Sequence, residues 1–105
     1  DGNLLAVGAT AEDGNADGVG GQQGNGSDTN SGAVYLFERT SLTWSQVNYI
    51  KAKNTDMNDM LGGSPSMSAD GNTLAIGAGQ DRGTGQGVNP PDNGINGGSG
   101  AVYVY

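Results

Sequence analysis

Eight carboxylates carry most of the chemistry this sequence could perform: Glu12, Asp13, Asp17, Asp28, Asp56, Asp59, Asp81 and Asp92. They stand in glycine-rich or polar stretches among Asn, Gln and Ser, which supply further oxygens. A hard cation such as calcium takes roughly six to eight oxygen ligands, and glycine lets the backbone fold tightly around an ion. The eight are therefore candidate calcium ligands. Paired carboxylates also serve glycoside hydrolysis, but nothing here would raise one carboxyl pKa, because a crowded aromatic cleft is missing from the pattern. With no histidine and no cysteine in the chain, imidazole acid–base catalysis and thiolate zinc sites within it are excluded. The Gly-x-Gly patterns at Gly18, Gly20 and at Gly83, Gly85 precede no helix and have no nearby lysine, so they are not phosphate loops. Trp44 could stack on a sugar, but on an outer strand it is expected to pack between units. The chain reads as a non-enzyme.

Composition narrows the partners. The formal net charge is −7 over 105 residues, which repels phosphate backbones and anionic lipid. Nucleic acid is therefore not an expected partner. No apolar run is long enough to span a bilayer as a helix, so membrane insertion is not expected. With 33% apolar residues and 21 glycines, the chain has little with which to bury a core alone, and is expected to lean on something else. It opens on Asp1 without methionine, which reads as processing or as a piece of something longer.

The elements that must position the carboxylates come as repeats. Ser68-Ala-Asp-Gly-Asn-Thr-Leu-Ala-Ile-Gly-Ala78 repeats the opening Asp1-Gly-Asn-Leu-Leu-Ala-Val-Gly-Ala9, with Asp70 falling 69 residues after Asp1. Each copy is followed by a glycine-rich segment, residues 10–31 and 79–99. Each such segment ends in the same strand, Gly32-Ala-Val-Tyr-Leu-Phe37 or Gly100-Ala-Val-Tyr-Val-Tyr105. A period this long points to stacked or radially arranged supersecondary units.

The strands are expected at 3–9, 32–38, 44–52, 61–68, 72–78 and 100–105. The run 3–9 is almost continuously apolar and reads as buried on both faces. Asp1-Gly2 and Asp70-Gly71 are hairpin dipeptides of the kind a type I′ turn takes, so Pro65–Ser68 and Thr73–Ile76 form a hairpin. The polar share of 44–52 marks an edge strand, and Pro65 predicts a bulge or an unpaired side. Residues 53–60 are a polar connection. The architecture is all-β: four-stranded antiparallel units of propeller type, with 1–69 as a first unit and 70–105 as a partial second, completed by other copies or further sequence.

Connections in an antiparallel meander alternate between its two ends. Both long loops and the 53–60 crossover therefore share an end, which collects the eight carboxylates, while Arg39, Asp1 and Asp70 mark the other. Like charges so gathered repel unless solvated or neutralised. Between repeats the acids align poorly: Glu12 matches Asp81, but Asp13 falls on Arg82, Asp17 on Gln86 and Asp28 on Asn96.

The run Asp59-Met-Leu-Gly-Gly-Ser-Pro-Ser-Met-Ser-Ala-Asp-Gly-Asn-Thr-Leu-Ala-Ile-Gly-Ala78 resembles the integrin-α-like FG-GAP repeats of bacterial secreted and surface proteins. Gly32–Phe37, Trp44-Ser-Gln and Tyr49-Ile-Lys-Ala52 continue the likeness across nearly the whole chain. The resemblance implies propeller blades, a setting in adhesion or extracellular assemblies, and frequent calcium binding. Leu61 stands where the family has Phe, and Pro65 where it has Val. The family's Asp-x-Asp-x-Asp-Gly calcium loop is replaced by the tight Ala69-Asp-Gly-Asn72 turn, so that site is not carried over.

These readings converge on a non-enzymatic structural or adhesive protein, extracellular or at the cell surface, that assembles with copies of itself into a filament and binds calcium through its acidic loops. The alternative is a ligand-binding propeller fragment that recognises another extracellular protein or a glycan through the long-loop face.

Overall fold

A computed structural model describes residues 2–24, 26–83, 85, 87, 89 and 97–105. The turn residue Asp1 and the candidate ligand Asp92 lie outside the described residues. The chain is all-β, with no helix among the described residues, and so none long and apolar enough to cross a membrane. Its strands are β1 (Leu4–Ala9), β2 (Ala33–Thr40), β3 (Thr43–Ile50), β4 (Leu61–Met67), β5 (Leu74–Ala78) and β6 (Ala101–Val104). They form two antiparallel three-stranded sheets, ordered β1-β2-β3 and β4-β5-β6.

The repeat is visible in the pairing. Val7 faces Tyr35 and Gly8 faces Val34 in the first sheet; Ile76 faces Tyr103 and Gly77 faces Val102 in the second. Strand β4, which the 69-residue period groups with what precedes it, is hydrogen-bonded to β5. Its pairing slips between Gly63 and Ser66, around Pro65, where the ladder lacks an amide hydrogen. Ser64 in this irregular stretch takes a φ of +49°. Strand β3 lies at the edge of its sheet, and half-exposed Trp44 stands under the Arg39 guanidinium, 5.5 Å from the ring centre. It does not pack between sheets.

The β4–β5 connection is not a type I′ turn. Gly71 takes a φ of +73°, but Asp70 does not enter the left-handed region. The loop is instead closed by Ser68, whose N–H donates to the Thr73 carbonyl at 2.9 Å. Its hydroxyl donates to the Asp70 carboxylate at 2.6 Å, and the Asn72 amide donates to the same carboxylate oxygen at 3.1 Å. Those hydrogen bonds, the one from Ser68 foremost, hold the exposed Asp70 carboxyl below its ordinary range.

The core lies between the sheets: Val34, Ile50, Ala52, Leu61, Leu74, Ile76, Ala78 and Tyr103, with Ala6, Leu36, Met67, Ala101 and Tyr105 around it. The expectation that both faces of 3–9 are buried is corrected. Leu5 and Val7 stay 46% and 42% exposed, while Leu74 and Ile76 at the same repeat positions are 6% and 0% exposed. Side chains alternate across a strand, and only one face of the first sheet meets the second.

Where the sheets meet, backbone touches backbone. The N–H of Leu61 donates to the Ser31 carbonyl at 2.9 Å, and Gly32 bridges to Leu61 in parallel. A Cβ at Gly8 would land on the Gly62 carbonyl, and one at Gly32 on the Leu61 backbone. No residue larger than glycine fits either place without moving β4.

Candidate functional site

The residue segment after β1 does not wander free. Glu12 N–H donates to the Ala9 carbonyl, Asp28 N–H to Asp13, and Gly32 N–H to Glu12, at 3.2, 2.9 and 2.9 Å. Farther out, Gly20 N–H donates to Tyr49, and Gly18 exchanges hydrogen bonds with Lys51 and Ala52, so the loop lies along the end of β3. The 53–60 crossover joins it: the Asn58 and Met60 amides donate to the carbonyls of Thr29 and Asn30 at 2.9 and 3.0 Å. The first loop and the crossover thus lie at one end of the first sheet.

Within that end, most charge is already answered locally. Glu12 accepts a 2.9 Å hydrogen bond from the ammonium of Lys51, whose side chain is wholly buried. Lys51 also donates to the Ser31 hydroxyl at 2.6 Å, and Ser31 donates to the Gly14 carbonyl at 2.8 Å. Burial would raise the Glu12 pKa, but the Lys51 ammonium and the polar groups of Tyr49 and Gly14 beside it outweigh that and hold it below its ordinary value. The Tyr49 hydroxyl is buried beside this carboxylate without a well-formed hydrogen bond. Its pKa is pushed up by burial and by the Glu12 charge. Its ring leans against Tyr35, with centroids 5.3 Å apart.

The second loop begins in the same way. Asp81 N–H donates to Ala78, and Gly100 N–H donates to Asp81. The Ser99 hydroxyl reaches the Gly83 carbonyl at 3.0 Å, as Ser31 reaches Gly14. Asp81 is 1% exposed, and its carboxylate accepts from the Tyr103 hydroxyl at 2.5 Å and from the Gly83 amide at 2.8 Å. Tyr103 is pushed up by burial and by Asp81, with a smaller contribution from the charge of Asp59. Its hydroxyl also lies 3.2 Å from the Asn54 side-chain oxygen.

The other candidates are dispersed. Exposed Asp13 accepts from the Asn30 amide at 2.8 Å, and exposed Asp17 from the Thr55 amide at 3.1 Å. Half-buried Asp28 is tied in through its backbone. Buried Asp59 accepts from the Asp56 amide at 2.9 Å, and its carbonyl accepts from Gln80 at 3.2 Å. Among the described residues, no three of these carboxylates come together as a group that could hold a metal. Glu12, Asp13, Asp17, Asp59 and Asp81 are thus each held by a different local partner.

Sequence reasoning missed Lys51, Ser31, Tyr49, Tyr103 and Ser99. Two signals were available. Ser31 and Ser99 recur 68 residues apart, and Lys51 is a lone cation between Ile50 and Ala52, where a buried charge demands a partner. Comparison with protein-family models, with curated proteins and with solved structures finds no match for the chain.

Proposed function

We propose that this chain is a non-enzymatic structural or adhesive repeat protein that associates with copies of itself outside the cell. The observation that supports the reading is apolar surface left on regular strands of both sheets, with Leu5, Val7 and Val102 at 46%, 42% and 55% exposed. Isolated exposed apolar residues are ordinary. Here they fall at repeat positions whose counterparts are buried, since Leu74 and Ile76 match Leu5 and Val7, and Val34, at 0% exposed, matches Val102. Sedimentation of the purified chain over a range of concentration tests it: mass rising with concentration supports the reading, and a monomer throughout sinks it.

The unit we propose is a four-stranded blade of propeller type, as the likeness to FG-GAP repeats implies. Overlaying the repeats matches β1 to β5 and β2 to β6, leaving β4 and β3 as the first and fourth members of one full unit. Calcium at the loop end is proposed on charge: the chain carries a formal net charge of −7, and like charges within a Debye length of ~8–10 Å repel unless a cation neutralises them. Calcium should raise the melting temperature and a chelator lower it, while sodium at matched ionic strength does neither. Identical melts in all three would remove calcium from the reading. An outward-facing location is tested by antibody labelling of intact cells.

A further inference from the structure

We infer that the open face of the second sheet is a seat for an extended segment of another protein, one in which an apolar residue is followed by glycine. This goes beyond the self-association reading and stands on a different observation. In the first unit the corresponding seat is filled from within the chain. The amides of Asn58, Met60 and Leu61 donate to the carbonyls of Thr29, Asn30 and Ser31 at 2.9, 3.0 and 2.9 Å, and Gly32 bridges to Leu61 in parallel. Gly62 then crosses Gly8 so closely that neither can carry a side chain. A Cβ at Gly8 would land on the Gly62 carbonyl, and one at Gly62 would lie 2.7 Å from the Ala33 oxygen. Leu61 itself is 0% exposed and joins Val34 in the core.

The second unit builds the same seat and leaves it open. Gly98 and Gly100 take φ values of +69° and +77°, where Asn30 and Gly32 take +54° and +82°. The Gly100 amide donates to Asp81 at 2.9 Å, as the Gly32 amide donates to Glu12, so the backbone of 97–100 retraces that of 29–32. Among the described residues, no backbone amide donates to the carbonyls of Gly97, Gly98 and Ser99. A Cβ at Gly32 collides with Leu61, but one at Gly100 meets nothing nearer than the Gly79 oxygen at 3.4 Å. A groove of about 720 Å³ lies there, over Gly77, Ser99, Gly100, Ala101 and Val102. Val102, the counterpart of Val34, is 55% exposed on its floor. Each part of the floor asks for a matching part of the occupant: the carbonyls for the amides of an extended strand, Val102 for an apolar side chain, and Gly77, as Gly8 does, for a residue without Cβ. A second copy does not supply that segment, because its own Leu61 and Gly62 are already closed on Gly32 and Gly8. The segment belongs to a different chain.

The end-blocked peptide Asn-Asp-Met-Leu-Gly-Gly-Ser, residues 58–64 of this chain, is the probe. Titrated into the isotope-labelled protein and followed by nuclear magnetic resonance, it should bind saturably and shift the amides of Gly77, Ser99, Gly100 and Val102. Gly77→Ala in the protein and Gly62→Ala in the peptide each put a Cβ where the two backbones cross, and each should weaken binding at least about tenfold. Val7→Ala, on the first sheet, should leave it unchanged. Circular dichroism checks folding, and if Gly77→Ala loses its β spectrum, Val102→Asp, at a half-exposed position, takes its place. Sedimentation of the same samples keeps the two readings apart. A parent that associates with itself but takes no peptide overturns this inference alone; a parent that takes the peptide and stays monomeric overturns self-association alone; a parent that does neither overturns both. Equal binding by the Gly77→Ala protein, equal binding of the Gly62→Ala peptide, or shifts confined to other residues also overturn the seat.

Discussion

The two loop roots are built from one pattern and solve one problem differently. In the first, Glu12 reaches a buried lysine, and the pair is completed by Ser31. In the second, Asp81 is one methylene shorter and turns to the Tyr103 hydroxyl and the Gly83 amide. The backbone frame is the same in both, from the amide that donates back to Ala9 or Ala78 to the serine that closes the loop on Gly14 or Gly83. A repeated frame thus keeps the chain path while the buried charge changes partner. The lesson is that an acid recurring at one repeat position need not mean a recurring ligand.

The sheets themselves differ most at glycine, which yields the largest expected effect. Gly8→Ala drives a Cβ into the Gly62 carbonyl, and backbone cannot step aside, so a loss of about 4 kcal/mol or more is expected. Gly77→Ala, at the equivalent place, meets the Gly63 oxygen at 3.0 Å and asks for a shift of a few tenths of an ångström. It should cost under about 2 kcal/mol. Equal losses in urea melts would show that β4 does not sit on Gly8.

The Glu12–Lys51 pair comes next. Glu12→Gln leaves a wholly buried ammonium without its counter-charge, expected to cost about 3 kcal/mol. Its pH dependence has a definite sign. Because the folded carboxyl titrates below its ordinary 4.5, its contribution is full above that value and is lost as pH falls through the lowered folded value. A pH series of urea midpoints should therefore fall in acid for the parent, with that part of the fall absent in Glu12→Gln. A parallel acid limb in both would place the effect elsewhere.

Tyr103→Phe tests the other root. It removes one donor from buried Asp81 while the Gly83 amide remains. The expected cost is about 1.5–2 kcal/mol, smaller than at Glu12 because no charge is left without any partner. A cost as large as that of Glu12→Gln would mean that Tyr103 carries most of what holds Asp81.

Much of this was legible beforehand. The 69-residue repeat placed the strands, because apolar runs between Asp-Gly turns and glycine-rich loops leave few alternatives, and Pro65 announced the irregular pairing of β4. The turn at Asp70 was misread, since Ser68 and Asn72 satisfy the carboxylate in a longer loop and remove the need for two residues at positive φ. Burial of 3–9 was misread for a different reason. Leu4–Ala9 and Leu74–Ala78 have nearly the same sequence, yet one is half exposed and the other inside. Which face is covered depends on where the neighbouring sheet lies, and nothing local encodes it. Lys51 was overlooked because its partners lie 20 and 39 residues away in sequence.

The smallest effect separates the loop roots most finely. Ser31 is 1% exposed, donates to Gly14 and accepts from Lys51, so Ser31→Ala removes a buried acceptor from an ammonium that water cannot reach. A cost of about 1–2 kcal/mol is expected. Ser99 makes the same backbone contact at 3.0 Å but is solvent-exposed. Water can replace that hydroxyl, and Ser99→Ala should stay within about 0.5 kcal/mol. The pair also probes coupling: in a double-mutant cycle Ser31→Ala and Glu12→Gln share Lys51 and should be non-additive, whereas Ser99→Ala and Glu12→Gln should add. Equal costs at Ser31 and Ser99, or additivity with Glu12 at both, would mean that the serine serves only the backbone frame, and that the ion pair in the first root stands without it.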